Sequence, residues 1–218
     1  MKEIKYYSQF GEEQIIEKYM EPMGENYIGS CLDIGASNGI NINNTKYFED
    51  KGWYCLCVEP NPRYFKELEV NRKNAINYAI ADTIGQLKFT VVSLGNDCED
   101  AGSSLKVDLR LLDRFMEYNW HIQTTPIFVS AITLDFCLEN FYKSDKIDFI
   151  SIDTEGTELD VLKGFDIEKW KPRLFVIENN FDDNDIEIYL NMYGYKRDMR
   201  IEVNDYYIPK DLVYTFNK

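Results

Sequence analysis

The stretch Leu32-Asp33-Ile34-Gly35-Ala36-Ser37-Asn38-Gly39 decides how this chain is read. An apolar run over Ser30 to Ile34 has the length and composition of a buried strand. A Gly-x-x-x-Gly turn follows, and then a helical pattern around Asn44 to Lys51, closed by Gly52 in the position of a left-handed cap. Strand, glycine turn and helix place the turn at the carboxyl edge of a sheet, where open α/β sheets bind ligands. Glycines there let the backbone approach a ligand closely. Asp33, at the strand end, is positioned to meet a positively charged ligand group such as an aminoacyl ammonium, directly or through water. Ser37 stands where a dinucleotide fingerprint requires its second glycine, so the approach of a pyrophosphate is compromised.

Working outward, the unit repeats. Tyr54 to Val58 reads as a second strand, and Asn61 as N-cap with Pro62 at the first helical position opens a helix carrying Phe65, Leu68 and Arg72. Glu59, at the end of strand two, can accept hydrogen bonds from two ribose hydroxyls. A third strand is predicted over Ala75 to Ala81, ending in Ala81-Asp82, where a carboxylate could accept the amino group of adenine. Leu87 to Ser93 alternates like an exposed hairpin strand. Residues 94–126 lose regular periodicity and form the predicted substrate-facing insertion, with the acidic Gly-Asn-Asp-Cys-Glu-Asp run inside it. The pattern then resumes: helix Leu134 to Phe141, strand Ile147 to Ile152, helix Thr157 to Lys163, strand Leu174 to Ile177 and helix Asp185 to Met192. Two alternating strands near Tyr195 to Val203 and Tyr206 to Phe216 close the chain. This is α/β with a largely parallel sheet, read as one domain over 1–218 with a helical N-terminal segment over 1–29.

Composition narrows the function. Lys and Arg number 24 against 38 Asp and Glu, for a net charge of −14, which repels polyanions. A nucleic-acid substrate is therefore not expected, although Lys106, Arg110 and Arg114 could form a local basic groove. The five cysteines, Cys31, Cys55, Cys57, Cys98 and Cys137, lack metal-site spacing, and those inside apolar runs read as buried free thiols. No signal-peptide core or membrane-length apolar run is present in the sequence, and a reducing, cytoplasmic setting is the expectation.

A second acidic cluster, Asp153-Thr154-Glu155-Gly156-Thr157-Glu158, closes the apolar run Ile147 to Ile152, and Glu178-Asn179-Asn180 closes the next strand. Asp153, Glu178 and Asn179 are oxygen donors that could hold Mg²⁺ or Mn²⁺. Asp153 and Glu155 are the candidate catalytic bases, since a carboxylate within reach of a hydroxyl can take its proton as the oxygen attacks. The single histidine, His121, reads as structural.

The ordered series of motifs resembles the FkbM-type methyltransferases, a branch of the Rossmann-like class I methyltransferases. It runs from Tyr7-Ser8-Gln9-Phe10-Gly11-Glu12-Glu13 through Leu32 to Gly39, Asn44-Thr45, Gly52-Trp53, Glu59-Pro60-Asn61-Pro62 and Asn71-Arg72. It continues with Ser103-Ser104, Ile132-Thr133-Leu134-Asp135, and Ile147 to Gly156 with Glu158, Leu162 and Gly164. The resemblance implies a mostly parallel seven-stranded sheet with helices on both faces, S-adenosyl-L-methionine as cofactor, and O-methylation of a sugar, a glycan or a hydroxylated small molecule. It implies a cofactor site lined by Gln9, Asp33, Gly35, Ala36, Ser37, Gly39, Asn44, Glu59, Pro60, Ala81, Asp82, Ser104 and Asp153. The competing readings are an NAD(P)-dependent sugar-nucleotide oxidoreductase or epimerase, disfavoured by Ser37, and a catalytically silent nucleotide-binding scaffold. A scaffold has no need to gather carboxylates at four strand ends.

Overall fold

A computed structural model describes residues 5–24, 26–95 and 102–214. Cys98, most of the acidic run in the predicted insertion, and the last residues of the predicted terminal strand lie outside them. In chain order the elements are α1 (Glu12–Met20), a 3₁₀ turn (Glu21–Met23), β1 (Ser30–Ile34), α2 (Lys46–Asp50), β2 (Tyr54–Val58), α3 (Pro62–Asn71), β3 (Ala75–Ile76), β4 (Ala79–Ile80) and β5 (Gly85–Ser93). Then come α4 (Leu109–Glu117), β6 (Gln123–Ile132), α5 (Leu134–Phe141), β7 (Phe149–Ile152), α6 (Glu158–Lys163), α7 (Ile167–Trp170), β8 (Leu174–Glu178), α8 (Asp185–Met192), β9 (Tyr195–Ile201) and β10 (Asn204–Pro209).

Seven strands form the main sheet in the order β3-β2-β1-β7-β8-β10-β9. The first five are mutually parallel, and β10 runs antiparallel to both β8 and β9. Period-two alternation divides the buried side chains between two faces. Leu32, Ile34, Ile150, Ile152, Phe175 and Ile177 face α5, α6 and α8, whereas Cys31, Phe149, Leu174 and Val176 face α1 and α2. The expected α/β sheet with helices on both faces is therefore present. Cys31, Cys55, Cys57 and Cys137 are buried free thiols, as composition suggested.

Three element predictions need correction. The strand predicted over Ala75 to Ala81 breaks after Ile76: β3 pairs with β2, while β4 crosses to a separate three-stranded sheet of order β4-β6-β5. The break is fixed by Asn77, whose Nδ2 donates to the Glu59 and Pro60 carbonyls and turns the chain away from the main sheet. Strand β6 was absent from the prediction because its first half, Gln123-Thr124-Thr125-Pro126, is polar and contains proline. It pairs with β5 along its full length but with β4 only at Ala131 and Ile132, so Pro126 sits on an open edge where its missing N–H costs nothing. The last strand starts earlier and ends earlier than predicted, at Asn204 and Pro209.

Candidate active site

The parallel strands end on one edge in the order β3, β2, β1, β7, β8, and each end carries a polar or glycine residue. After β1 the chain turns through Gly35, whose N–H, like that of Ala36, donates to the Val58 carbonyl at the end of β2. Gly35 has φ +87°, and a Cβ there would stand 1.7 Å from the Asp153 carbonyl oxygen. Only glycine lets the ends of β1 and β7 close on each other. Ser37 follows at φ 48°, and its N–H donates to Glu59 Oε2 at 2.9 Å.

Glu59 is thus bound to both sides of the crevice: Oε2 accepts from Ser37 and Oε1 accepts from the Asn61 N–H at 2.7 Å. Burial pushes its carboxyl up to about 7, against the pull of those two donors. Asn61 N-caps α3 by accepting from the Arg63 N–H, and its buried Nδ2 has no hydrogen-bond partner among the described residues. A buried donor without a partner is costly and calls for a ligand acceptor.

Glu59 and Asn61 line a cavity of about 470 Å³, within the roughly 300–1,000 Å³ of small-molecule sites. Its lining includes Gly35 and Ser37, the apolar side chains of Tyr78, Ile80 and Phe89, and the carboxylates Asp153 and Glu155. Gln9 reaches the rim because Glu13, fully buried, gathers the Tyr7 and Ser8 N–H groups and the Ser8 hydroxyl and so folds the N-terminal motif over the crevice. Pro60 also lines the cavity.

Other predicted residues support the walls from behind. Asp33 Oδ2 accepts from Asn43 Nδ2 and Thr45 Oγ1, both at 2.7 Å, and lies 3.7 Å from Arg72 Nη1. Burial raises its pKa, with Arg72 opposing. Gly39 packs on Leu68 and Arg72, Ala36 is buried, and Asn44 donates to Ser151 Oγ on β7. Ser104 is buried and donates to the Thr154 carbonyl. Ala81 hydrogen-bonds to β6, and Asp82 is exposed just beyond it. Neither lines the cavity, because the chain has left the main sheet at Asn77. Tyr78, Ile80 and Phe89 line it instead, and no motif marks them. His121 is exposed and does not line the cavity, whereas its neighbour Trp120 does.

After β7, Glu158 Oε1 accepts from Thr154 N–H, Thr154 Oγ1 and Gly156 N–H and shapes the loop. That loop holds Glu155 at φ 56°, a strained conformation for a side chain other than Gly, Asn or Asp. Glu155 Oε1 accepts from the Gly102 N–H, and burial, aided by the charge of Glu158, pushes its carboxyl up to about 7. Asp153 hydrogen-bonds to Glu178 at the end of β8, and burial together with the crowding of negative charge holds both well above the ordinary carboxylate range. Oxygens of Asp153, Glu155 and Glu178 lie within 4.8 Å of one another. Asn179 is not part of this set: its Oδ1 accepts from Asp183 N–H and its Nδ2 donates to Asp183 O and to Asp205 Oδ2 on β10, so the side chain is engaged by its loop and by the neighbouring strand. Of the predicted set Asp153, Glu178 and Asn179, the structure brings Asp153 and Glu178 together, with Glu155 in place of Asn179.

Residues 33–197 match the profile of the methyltransferase FkbM domain, which runs from the end of β1 into β9. The chain belongs to the FkbM methyltransferase family. It is accordingly an S-adenosylmethionine-dependent methyltransferase. Among solved structures this methyltransferase is similar to the delta-N METTL16 methyltransferase domain (11% identity over 90% of this chain and 80% of that one, TM-score 0.45). It is also similar to TrmK of M. capricolum in complex with S-adenosyl-homocysteine (11% identity, 93% and 68% covered, TM-score 0.46). A human methyltransferase 10 domain containing protein aligns with 11% identity over 90% and 78% of the two chains, TM-score 0.44. No curated protein matches the sequence. Among the described residues, no helix is long and apolar enough to cross a membrane.

Proposed function

We propose that this methyltransferase O-methylates a hydroxyl of a sugar, a glycan or a related small molecule by direct in-line transfer. The observation that carries the reading is the order of groups along the strand edge: Tyr78 beyond β3, then Glu59 with Asn61 Nδ2 unpartnered among the described residues, then Gly35, then Asp153 and Glu155. The apolar lining suits adenine, Glu59 the ribose and the turn at Gly35 the amino-acid arm, while Asp153 and Glu155 flank the acceptor that meets the methyl on the sulfur between ribose and arm. Glu59 accepts from the ribose hydroxyls, Asn61 Nδ2 donates to the same nucleoside, and Gln9, Ser37 and Pro60 close over it. Asp33, Ala36, Gly39, Asn44 and Ser104 act one layer back by fixing the turn and the β7 loop.

S-adenosylmethionine supplies an electrophilic methyl on a sulfonium. As the acceptor oxygen forms its bond to carbon and the sulfur–carbon bond breaks, the hydroxyl proton passes to Glu155, whose carboxyl sits near neutrality as a general base requires. Asp153 lies beside it, hydrogen-bonded to Glu178, and holds the base and the acceptor in register. The three carboxylates could also hold Mg²⁺ or Mn²⁺ through hard oxygen donors. Turnover that survives exhaustive chelation would remove the ion from the reaction. The net charge of −14 opposes a polyanionic acceptor.

Calorimetry with S-adenosylmethionine, S-adenosylhomocysteine and NAD tests the cofactor site, and saturable NAD binding without S-adenosylhomocysteine binding would overturn it. A screen of methyl transfer onto free oligosaccharides and sugar nucleotides tests the acceptor class.

A further inference from the structure

Ile42 is held in a backbone conformation that its side chain resists. Among the described residues, seven other than glycine take positive φ, and Ile42, at 49°, is the β-branched one, the type for which that region is a genuine outlier. The conformation is imposed from both sides. Asn38 Oδ1 accepts from the Ile40 and Asn41 N–H groups, both at 3.0 Å. On the other side the Asn43 side chain is fixed by Asp33, by Arg72 and by the Lys46 N–H. Ile42 takes the bend between those two anchors.

Packing within the protein does not offset the strain. The Ile42 side chain is 55% exposed and joins none of the buried hydrophobic clusters among the described residues. It does line the crevice, together with Asn41 and Gln9. The Asn43 N–H donates to the Tyr7 carbonyl at 3.1 Å, tying the segment of Ile42 to the one that carries Gln9. The same segment is anchored on β1, through Asn43 to Asp33, and on β7, through Asn44 to Ser151. Those are the two strands next along the edge from β2, whose end carries Glu59.

Strain that the surrounding structure imposes on a residue lining a ligand crevice points to function. Resting on the cofactor reading of that crevice, we infer that Ile42 is a positioning residue. Its side chain packs on the methylene and sulfur end of the cofactor's amino-acid arm, and so fixes the direction of the sulfur–methyl bond. Asparagine would take the same bend more readily, but would present an amide to that apolar part of the ligand.

The test is calorimetry on the full chain with S-adenosylhomocysteine and with adenosine, which lacks the arm, for the wild type, Ile42→Asn and Ile42→Val. Because Ile42→Asn relieves the strain, its thermal midpoint should equal or exceed that of the wild type. It should nevertheless bind S-adenosylhomocysteine about tenfold more weakly, a 1.4 kcal/mol difference. Its affinity for adenosine should match the wild type, and Ile42→Val should match the wild type with both ligands. Unchanged S-adenosylhomocysteine affinity in Ile42→Asn, an equal loss for adenosine, a Val variant as weak as the Asn one, or a lowered midpoint in Ile42→Asn would each overturn the inference. Failure of the wild type to bind S-adenosylhomocysteine would instead overturn the cofactor reading.

Discussion

The Ser37 N–H donates to Glu59 Oε2 at 2.9 Å, joining the turn after β1 to the end of β2. With the Asn61 N–H on Oε1, it leaves the carboxylate oriented but with acceptor capacity on both oxygens. Because the carboxyl sits at about 7 in the free protein and the ionised form accepts from ribose, binding favours loss of its proton. Affinity for S-adenosylhomocysteine should therefore tighten as pH rises through about 7 and level off above it. Glu59→Ala should weaken binding by about 10- to 100-fold, the worth of hydrogen bonds to a charged group, and remove the pH dependence. Calorimetry from pH 5.5 to 8.5, a range of about three units around that pKa, reads both.

Glu155→Gln separates chemistry from binding. Proton acceptance by a positioned side chain contributes about 10²- to 10⁴-fold, so kcat should fall within that range while S-adenosylhomocysteine affinity stays put. The wild-type rate should climb through about pH 7 as Glu155 ionises and then plateau. The variant's profile should be flat in that region. A loss that appears only in the cofactor's dissociation constant would place Glu155 outside the proton transfer.

The same raised carboxyls make the unliganded fold sensitive to alkali. Glu59 and Glu155 have folded-state values near 7, above the ordinary 4.5, and Asp153 and Glu178 are shifted the same way. The folded protein holds more protons than the unfolded chain across this window, so stability is fullest below about 4.5 for these groups and declines as pH rises through 7. The thermal midpoint at pH 8 should be lower than at pH 5.5, and Glu155→Gln should shrink the difference. A midpoint that rises across that interval would contradict the assigned directions.

How much of this could be read beforehand follows from the physics of each residue. The strand ends were visible because short apolar runs stop abruptly at Asp33-Ile34-Gly35, Glu59, Asp153 and Glu178, and those runs became β1, β2, β7 and β8. Asn61-Pro62 announced α3 for the same local reason. What was hidden depends on partners distant in sequence. Asp33 turns to Arg72, and Asn179 turns to Asp205 on an antiparallel strand. The Asn77 hydrogen bonds that break the third strand, and so bring Tyr78 to the cavity in place of Asp82, are tertiary. Strand β6 carries no alternation in its polar half, so only its pairing with β5 reveals it.

Arg72 provides the last test, because it joins the glycine turn to the helices behind it. Its side chain is fully buried; Nε lies 3.1 Å from Glu49 Oε2, Nη2 donates to Thr45 Oγ1 at 2.9 Å, and Nη1 donates to Asn43 Oδ1 at 3.0 Å and to the Gly39 carbonyl at 3.3 Å. Arg72→Met would leave Asp33 buried without its counter-charge and Glu49 with Lys46 alone, a loss of about 3–5 kcal/mol. Arg72→Lys keeps the charge but cannot span four acceptors from one planar fork. Urea titration should rank the proteins wild type, then Lys, then Met. The Lys variant, if folded, should also bind S-adenosylhomocysteine more weakly, because Gly39 and Asn43 lose the group that fixes the turn. Unchanged cofactor affinity in a folded Arg72→Lys protein would limit Arg72 to stability and detach it from the site.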